Sequence, residues 1–143
     1  MEDRSLYDAT VKYHNQYPIH KHDLSGADFE RRGLNPTCGD DITLKLKIKN
    51  GVIEDGAFSG NGCAISQASA DMMLDLVIGK PVEEAKRLSE IFRRMITGKV
   101  TDEELETLEE ASVLLGVSQK PMRAKCATLA WHTMEIILDA GDV

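Results

Sequence analysis

Several features are scarce in this 143-residue sequence, and each absence excludes a class of protein. No apolar run approaches the roughly 18–20 residues that cross a bilayer, so the sequence predicts no membrane protein. Aromatic residues are few and form no stacking pattern, and the net charge of −7 argues against general nucleic-acid binding, which depends on basic surface. The opening segment MEDRSLYD lacks the apolar core of a signal peptide, so we expect a cytoplasmic protein.

Cysteine is also scarce, since only Cys38, Cys63 and Cys126 are present. An odd number excludes a fully paired disulfide framework. In a reducing compartment, cysteines are more often metal ligands or reactive thiols than disulfide partners. The chain is long enough to bury a core, and we expect residues 1–143 to form a single domain.

A β-hairpin is the clearest local structure in the sequence. Residues 42–49 alternate between apolar and polar side chains, which is typical of a half-buried strand. Asn50-Gly51 is a strong signal for a two-residue turn, and residues 52–59 supply the partner strand. If Lys49 faces Val52, the same register sets Ile48 opposite Ile53 and Lys47 opposite Glu54.

Helical patterns occupy most of the remaining chain. They predict helices over residues 5–14, 65–76, 85–96 and 101–115, with a capping box between Thr101 and Glu104, a C-cap at Gly116 and a last helix that begins at Pro121. A short strand is predicted near residues 29–34. The predicted fold class is therefore α+β, with a small antiparallel three-stranded sheet and helices packed on one of its faces.

The hairpin register points to a thiol-rich site. It places Cys38 opposite Cys63, and Asp40 has the same strand parity as Cys38, whereas Asp41 points to the other face. The third thiol, Cys126, lies near the start of the last helix. Three thiolates and one carboxylate can fill a tetrahedral zinc shell.

Other interpretations of these residues remain open. Each cysteine could be a buried apolar residue, Cys38 and Cys63 could form a disulfide, and Asp40 could cap a turn. Arg123 and Lys125 flank the third thiol and could offset the charge of a thiolate site or simply lie on the surface. The four histidines are further possible ligands: we expect His132 on a helix surface, and His20 and His22 in a loop without another ligand nearby, with His14 left open.

Three segments resemble the motifs of a known family. Residues 35–40 (NPTCGD), 60–66 (GNGCAIS) and 123–129 (RAKCATL) are similar, in order, to the three cysteine motifs of the IscU/NifU-type iron–sulfur assembly proteins. Two features resemble the SufU branch of that family. An additional stretch lies at about residues 93–111, and Lys125 stands where IscU-type chains have a histidine ligand.

The resemblance implies a fold, a site and an activity. It implies an IscU/SufE-like domain in which Cys38, Asp40, Cys63 and Cys126 bind Zn²⁺. It further implies a sulfurtransferase that accepts persulfide sulfur from the pyridoxal-phosphate-dependent cysteine desulfurase SufS and passes it to a SufB-type scaffold complex. In this scheme Cys38 is the sulfur acceptor, and Arg123 is a basic residue close to the zinc that assists the docked thiol.

Two alternatives to this function stay open. The same four residues could assemble a transient iron–sulfur cluster, as an IscU-type scaffold does, although Lys125 in place of histidine weakens that hypothesis. The chain could instead be a non-catalytic interaction module whose fold is stabilised by zinc.

Overall fold

The structure, a computed structural model, describes residues 4–140. Residues 1–3, with which the segment MEDRSLYD begins, and residues 141–143 lie outside the described part. The elements follow one another as α1 (Arg4–Gln16), β1 (Phe29–Asn35), β2 (Asp40–Lys49), β3 (Val52–Asn61), α2 (Ala64–Val77), α3 (Val82–Ile96), α4 (Asp102–Thr107), a 3₁₀ helix (Glu109–Val117) and α5 (Pro121–Leu138). The predicted α+β class is confirmed.

The three strands form an antiparallel meander in the order β1-β2-β3. Asn50 and Gly51 have φ angles of 53° and 75°, the left-handed values that a type I′ hairpin turn requires at both central positions. The alternation in β2 is also confirmed, because Ile42, Leu44 and Leu46 are fully buried. The described residues contain no helix of the length and apolarity that a membrane span needs.

A β-bulge corrects the predicted register. Ile48 pairs with Ile53 as expected, but Lys47 pairs with Asp55, so Glu54 is an extra residue in β3. The expected pairing of Lys47 with Glu54 is therefore wrong. All pairs beyond the bulge are shifted by one residue, and the ladder ends before it reaches Cys38. The two thiols are thus not opposed across the hairpin.

The helix predicted over residues 101–115 is in fact two elements. The capping box between Thr101 and Glu104 is present and opens α4. Glu109 then adopts a φ of 50°, which interrupts the helix because a left-handed residue cannot continue right-handed α-helical hydrogen bonding. A 3₁₀ helix follows, and Gly116 lies inside it instead of capping it.

Helices α2 and α5 pack against each other, and both contact the sheet. The Trp131 ring stacks on Phe92 with centroids 4.2 Å apart, which joins α5 to α3. Ser69 on α2 accepts a hydrogen bond from Trp131 Nε1 at 3.0 Å and donates to the Ala127 carbonyl at 2.6 Å. All of these side chains are buried, so the relative position of α2 and α5 is fixed by a polar contact within the core.

We expect Ser69→Ala to lower the free energy of unfolding by about 1–3 kcal/mol, because it leaves the buried indole N–H without an acceptor. Chemical denaturation followed by tryptophan fluorescence measures the change. Ser59→Ala, on an exposed position of β3, is the matched control and should be nearly neutral. Equal stability of the two variants would contradict the structural role of Ser69.

Candidate metal centre

Three separate parts of the chain bring the cysteines to one end of the fold. Cys38 lies in the turn between β1 and β2, and Asp40 is the first residue of β2. Cys63 is the N-cap of α2. Cys126 is in the second turn of α5. Pro121 starts that helix, as the sequence predicts.

The tightest part of the cluster contains two thiols and one carboxylate. The Sγ atoms of Cys38 and Cys126 and a carboxylate oxygen of Asp40 all lie within 4.8 Å of one another. Cys63 is not in this mutual set, but its thiol contacts that of Cys126, and its backbone N–H donates to Asp40 Oδ1 at 2.8 Å. The structure therefore brings all four sequence-predicted metal ligands together, with Cys63 at the edge of the group.

The turn that carries Cys38 explains why the thiols meet despite the shifted register. The backbone N–H of Cys38 donates to the Asn35 carbonyl at 3.2 Å, and Gly39 follows with a φ of 71°. This turn lifts Cys38 out of the ladder and directs its side chain towards Asp40. Cys38 is only partly buried, whereas Cys126 is buried, so Cys38 is the more accessible of these two thiols.

Cys63 is held by the start of α2. Its Sγ accepts a hydrogen bond from the Ser66 backbone N–H at 3.4 Å, as an N-cap side chain does. The helix predicted over residues 65–76 is confirmed, since α2 begins at Ala64, directly after Cys63.

Asp40 is almost fully buried, with 1% of its surface exposed. Burial raises the pKa of its carboxyl group, but hydrogen bonds from the Cys63 N–H, the Cys126 thiol, Asn35 and Ser66 outweigh that effect and lower the pKa. A buried carboxylate held in this way is a preformed oxygen ligand. Asp41 instead forms a bidentate ion pair with Arg32 at 2.8 and 2.7 Å, so Asp40 rather than Asp41 faces the cluster.

The pKa of the Cys126 thiol is raised, in contrast to the lowered pKa of Asp40. Burial raises the pKa of its thiol, and the neighbouring Cys38, Cys63 and Asp40 raise it further, to well above the usual range. Three thiols and one carboxylate thus converge around the buried Cys126, where each additional negative charge is unfavourable. A divalent cation would reverse this effect by stabilising the thiolates, and the donor set of three sulfurs and one oxygen fits Zn²⁺.

Two supporting residues were not predicted as part of the site. Asn35 Nδ2 donates to Asp40 Oδ2 at 3.1 Å and lies 3.6 Å from the Cys126 Sγ. Ser66 Oγ lies 3.1 Å from Asp40 Oδ1 and 3.0 Å from the Cys63 carbonyl. Both residues occur inside the cysteine motifs, three residues from Cys38 and Cys63 respectively, which is the only sequence signal that could have identified them.

Gly62 leaves room for these contacts. A Cβ atom at this position would lie 2.4 Å from Ser66 Oγ and 2.9 Å from Asp40 Oδ1. We expect Gly62→Ala to weaken zinc binding roughly 10- to 100-fold, as losses of supporting contacts at metal sites commonly do. Competition with a chromogenic chelator measures this. The control is Gly51→Ala, which strains the distant hairpin turn and should lower stability without changing zinc affinity; equal affinity losses would contradict the prediction.

The structure does not place Arg123 within the cluster. Arg123 is exposed in the first turn of α5, three residues before Cys126, and within residues 4–140 its side chain has no hydrogen bond or ion pair. It lines a surface hollow with Lys120, Pro121 and Met122. Lys125 is exposed as well and lines a neighbouring hollow that also includes Asn35. His132 is on the surface, as predicted.

The sequence is similar to those of known proteins over most of its length. Residues 6–137 match the model of the NifU-like N-terminal domain family. The chain is 47% identical to a Streptococcus pyogenes protein named iron–sulfur cluster assembly scaffold protein IscU, over 91% of this chain and 80% of that protein. It is 40% identical to the Bacillus subtilis zinc-dependent sulfurtransferase SufU, over 92% of this chain and 88% of that protein.

Solved structures agree with these sequence relatives. The crystal structure of a putative iron–sulfur cluster assembly scaffold protein for the SUF system from Fervidobacterium islandicum superimposes with a TM-score of 0.85 at 32% identity, and covers 96% of this chain and 99% of that one. The chain therefore belongs to the NifU-like N-terminal domain family, the iron–sulfur cluster assembly family that includes IscU and SufU.

Proposed function

We propose that this protein is a zinc-dependent sulfurtransferase of the SufU type, which accepts persulfide sulfur from a cysteine desulfurase. The observation that carries the proposal is the convergence of Cys38, Asp40 and Cys126 within 4.8 Å, with Cys63 in contact with Cys126. These four residues would hold one Zn²⁺. Bound zinc would keep the thiols deprotonated at neutral pH.

Cys38 is the residue best suited to take the sulfur. It lies in a turn and is partly exposed, whereas Cys126 is buried within α5. The Cys38 thiolate attacks the outer sulfur of the desulfurase persulfide and forms a new S–S bond. The S–S bond of the donor breaks, and the donor cysteine leaves as a thiolate, so the exchange needs no external oxidant or reductant. Asp40 and Cys63 stay in place because their backbones belong to β2 and to the start of α2.

The partners follow from this assignment. We propose the desulfurase SufS as the donor and a SufB-type complex as the recipient, with the exchange in the cytoplasm. Arg123 lies on the exposed first turn of α5, near a surface hollow of about 410 Å³. Its guanidinium would help orient an incoming anionic persulfide without binding the zinc.

A desulfurase assay tests the proposal. Zinc-loaded protein should increase the rate at which SufS releases alanine from cysteine, and protein treated with a chelator should lose that effect. Zinc content is measured in parallel and should be close to one ion per chain. If the loaded protein leaves the SufS rate unchanged, the sulfurtransferase assignment is wrong.

An IscU-type scaffold is a second candidate function. The 47% identity to the Streptococcus pyogenes scaffold protein favours it. It requires that the same residues hold an iron–sulfur cluster and pass it on. Anaerobic reconstitution followed by transfer to an apo-ferredoxin distinguishes the two functions, because a sulfurtransferase of the proposed type should form no transferable cluster.

A further inference from the structure

A second cluster of metal-ligating side chains lies away from the cysteines. It joins three elements, because His14 is on α1, Asp75 is on α2 and Glu110 is at the start of the 3₁₀ helix. One ligand atom from each of the three lies within 4.8 Å of the other two. Asp75 follows Cys63 by twelve residues along α2, a separation of roughly 18 Å, so the two clusters share no residue.

The Asp71 carboxylate holds the His14 imidazole from the side opposite Glu110. His14 is buried, with 3% of its surface exposed, and its Nδ1 lies 2.6 Å from Asp71 Oδ2. Asp71 is fully buried and also accepts the backbone N–H of His20 at 2.9 Å. The other ring nitrogen, Nε2, faces Glu110 and contacts its carboxylate. In histidine metal ligands, the ring nitrogen that does not bind the metal is usually hydrogen-bonded to a carboxylate or a similar group. That bond fixes both the orientation of the ring and its tautomer.

The surrounding charge attracts a cation. The carboxylates of Asp71, Asp75 and Glu110 converge on His14. Burial lowers the pKa of His14, but the hydrogen bonds to Asp71 and Glu110 outweigh burial and raise it. A divalent cation bound beside His14 could compensate the charge of these carboxylates.

His20 adds to the same cluster and corrects an expectation. The sequence predicts a loop in which His20 has no other ligand nearby, but His20 Nε2 lies 2.7 Å from Asp75 Oδ1. Its carbonyl also accepts the Phe58 N–H at 2.9 Å, which fixes the loop to β3. The loop is therefore part of the wall of the second cluster.

An open cavity gives solvent access to this cluster. Its volume is about 210 Å³, and Asp75, Glu109 and Glu110 are among the residues that line it. The side chains of Asp75 and Glu110 are 43% and 53% exposed, so both can rotate towards an ion. The cavity also has room for several water molecules, which could complete an incomplete protein ligand shell.

We propose that His14, Asp75 and Glu110 form a second divalent-cation site, which takes ions that accept mixed nitrogen and oxygen ligands, such as Mn²⁺. One imidazole and two carboxylates, with water in the open positions, suit such an ion, whereas a site without thiolate is unlike the zinc site formed by the cysteines. An ion held there would tie α1 to α2 and to the 3₁₀ helix. The site is therefore expected to stabilise the helical layer independently of sulfur transfer.

Mn²⁺ is the probe for the test, because it prefers carboxylate ligands and competes poorly for a zinc-loaded cysteine cluster. Titration of the zinc-loaded protein, followed by the electron paramagnetic resonance signal of free Mn²⁺, should show about one Mn²⁺ bound per chain. Asp75→Asn and Glu110→Gln should each weaken that binding roughly tenfold or more. Mn²⁺ should also raise the Tm of the wild-type protein and leave the Tm of these variants nearly unchanged.

Glu109→Gln is the matched control. Glu109 lines the same cavity but does not belong to the triad, so this variant should bind Mn²⁺ almost as the wild type does. The two substituted triad residues are partly exposed, and each is replaced separately, so the test does not depend on one variant being folded. Absence of wild-type Mn²⁺ binding, or equal affinity in all four proteins, would overturn the proposal. Neither result would affect the cysteine cluster, whose zinc content is measured separately.

Discussion

Cys38→Ala is expected to abolish stimulation of the desulfurase while the protein remains folded. The Cys38 side chain is partly exposed in a turn between two strands, and the apolar core does not include it. Truncation therefore removes the acceptor sulfur without opening a cavity in the core. The rate of alanine release by SufS measures the activity, and the circular dichroism spectrum and unfolding midpoint verify the fold.

Thr37→Ala is the matched control for this experiment. Thr37 is the exposed neighbour of Cys38 in the same turn, so its truncation alters the loop but keeps the thiol. This variant should stimulate SufS nearly as well as the wild type. Full activity of Cys38→Ala would contradict the assignment of Cys38 as sulfur acceptor. Loss of activity in both variants would also fail to support it, because the effect could then come from the altered turn and not from the missing thiol.

Cys126→Ser is expected to have the largest effect on metal binding. Cys126 is buried and contacts Cys38, Cys63 and Asp40, so it is the common neighbour of the whole cluster. Loss of a direct ligand should cost more than loss of a supporting contact, hence more than about 100-fold in zinc affinity. Inductively coupled plasma analysis after dialysis gives the zinc content, and chelator competition gives the affinity.

Cys63→Ser supplies the comparison, since Cys63 lies at the edge of the cluster. We expect a smaller loss of zinc affinity from Cys63→Ser than from Cys126→Ser. The non-catalytic zinc module makes a different prediction, because substitution of any of the three cysteines should then destabilise the fold to a similar degree. A folded Cys38→Ala variant without activity, beside a Cys126→Ser variant without zinc, would exclude that module.

Local sequence signals predicted the hairpin and most helix boundaries. Asn50-Gly51 specifies its turn by backbone conformation alone, and the capping box at Thr101 and Glu104 is likewise a local interaction. The bulge at Glu54 was not predicted. The choice between pairing Lys47 with Glu54 and pairing it with Asp55 depends on how the side chains on both faces of the strand pack, which the local sequence does not show. The break at Glu109 was also missed, since the apolar pattern continues through it.

The metal-ligand residues of the site could be predicted from the sequence, because cysteine and aspartate are recognisable as ligand types. Three thiols and the parity that distinguishes Asp40 from Asp41 indicated the cluster, although the supposed direct opposition of Cys38 and Cys63 was wrong. The turn after β1 brings Cys38 to the cluster instead. The roles of Asn35 and Ser66, and the joining of His14 to Asp71, depend on contacts that the tertiary fold creates. For Asn35 and Ser66 the sequence offers only their place within the cysteine motifs, and for His14 and Asp71 it offers no signal.

The central claim is that zinc, held by the three thiols and Asp40, keeps Cys38 as a thiolate that can accept one sulfur atom. The most direct measurement is mass spectrometry of peptides after the zinc-loaded protein reacts with SufS and cysteine, followed by alkylation and proteolysis under non-reducing conditions. The account predicts a mass increase of one sulfur atom on the peptide that contains Cys38. A persulfide found only on the Cys63 or Cys126 peptide, or on none of the three, would contradict it.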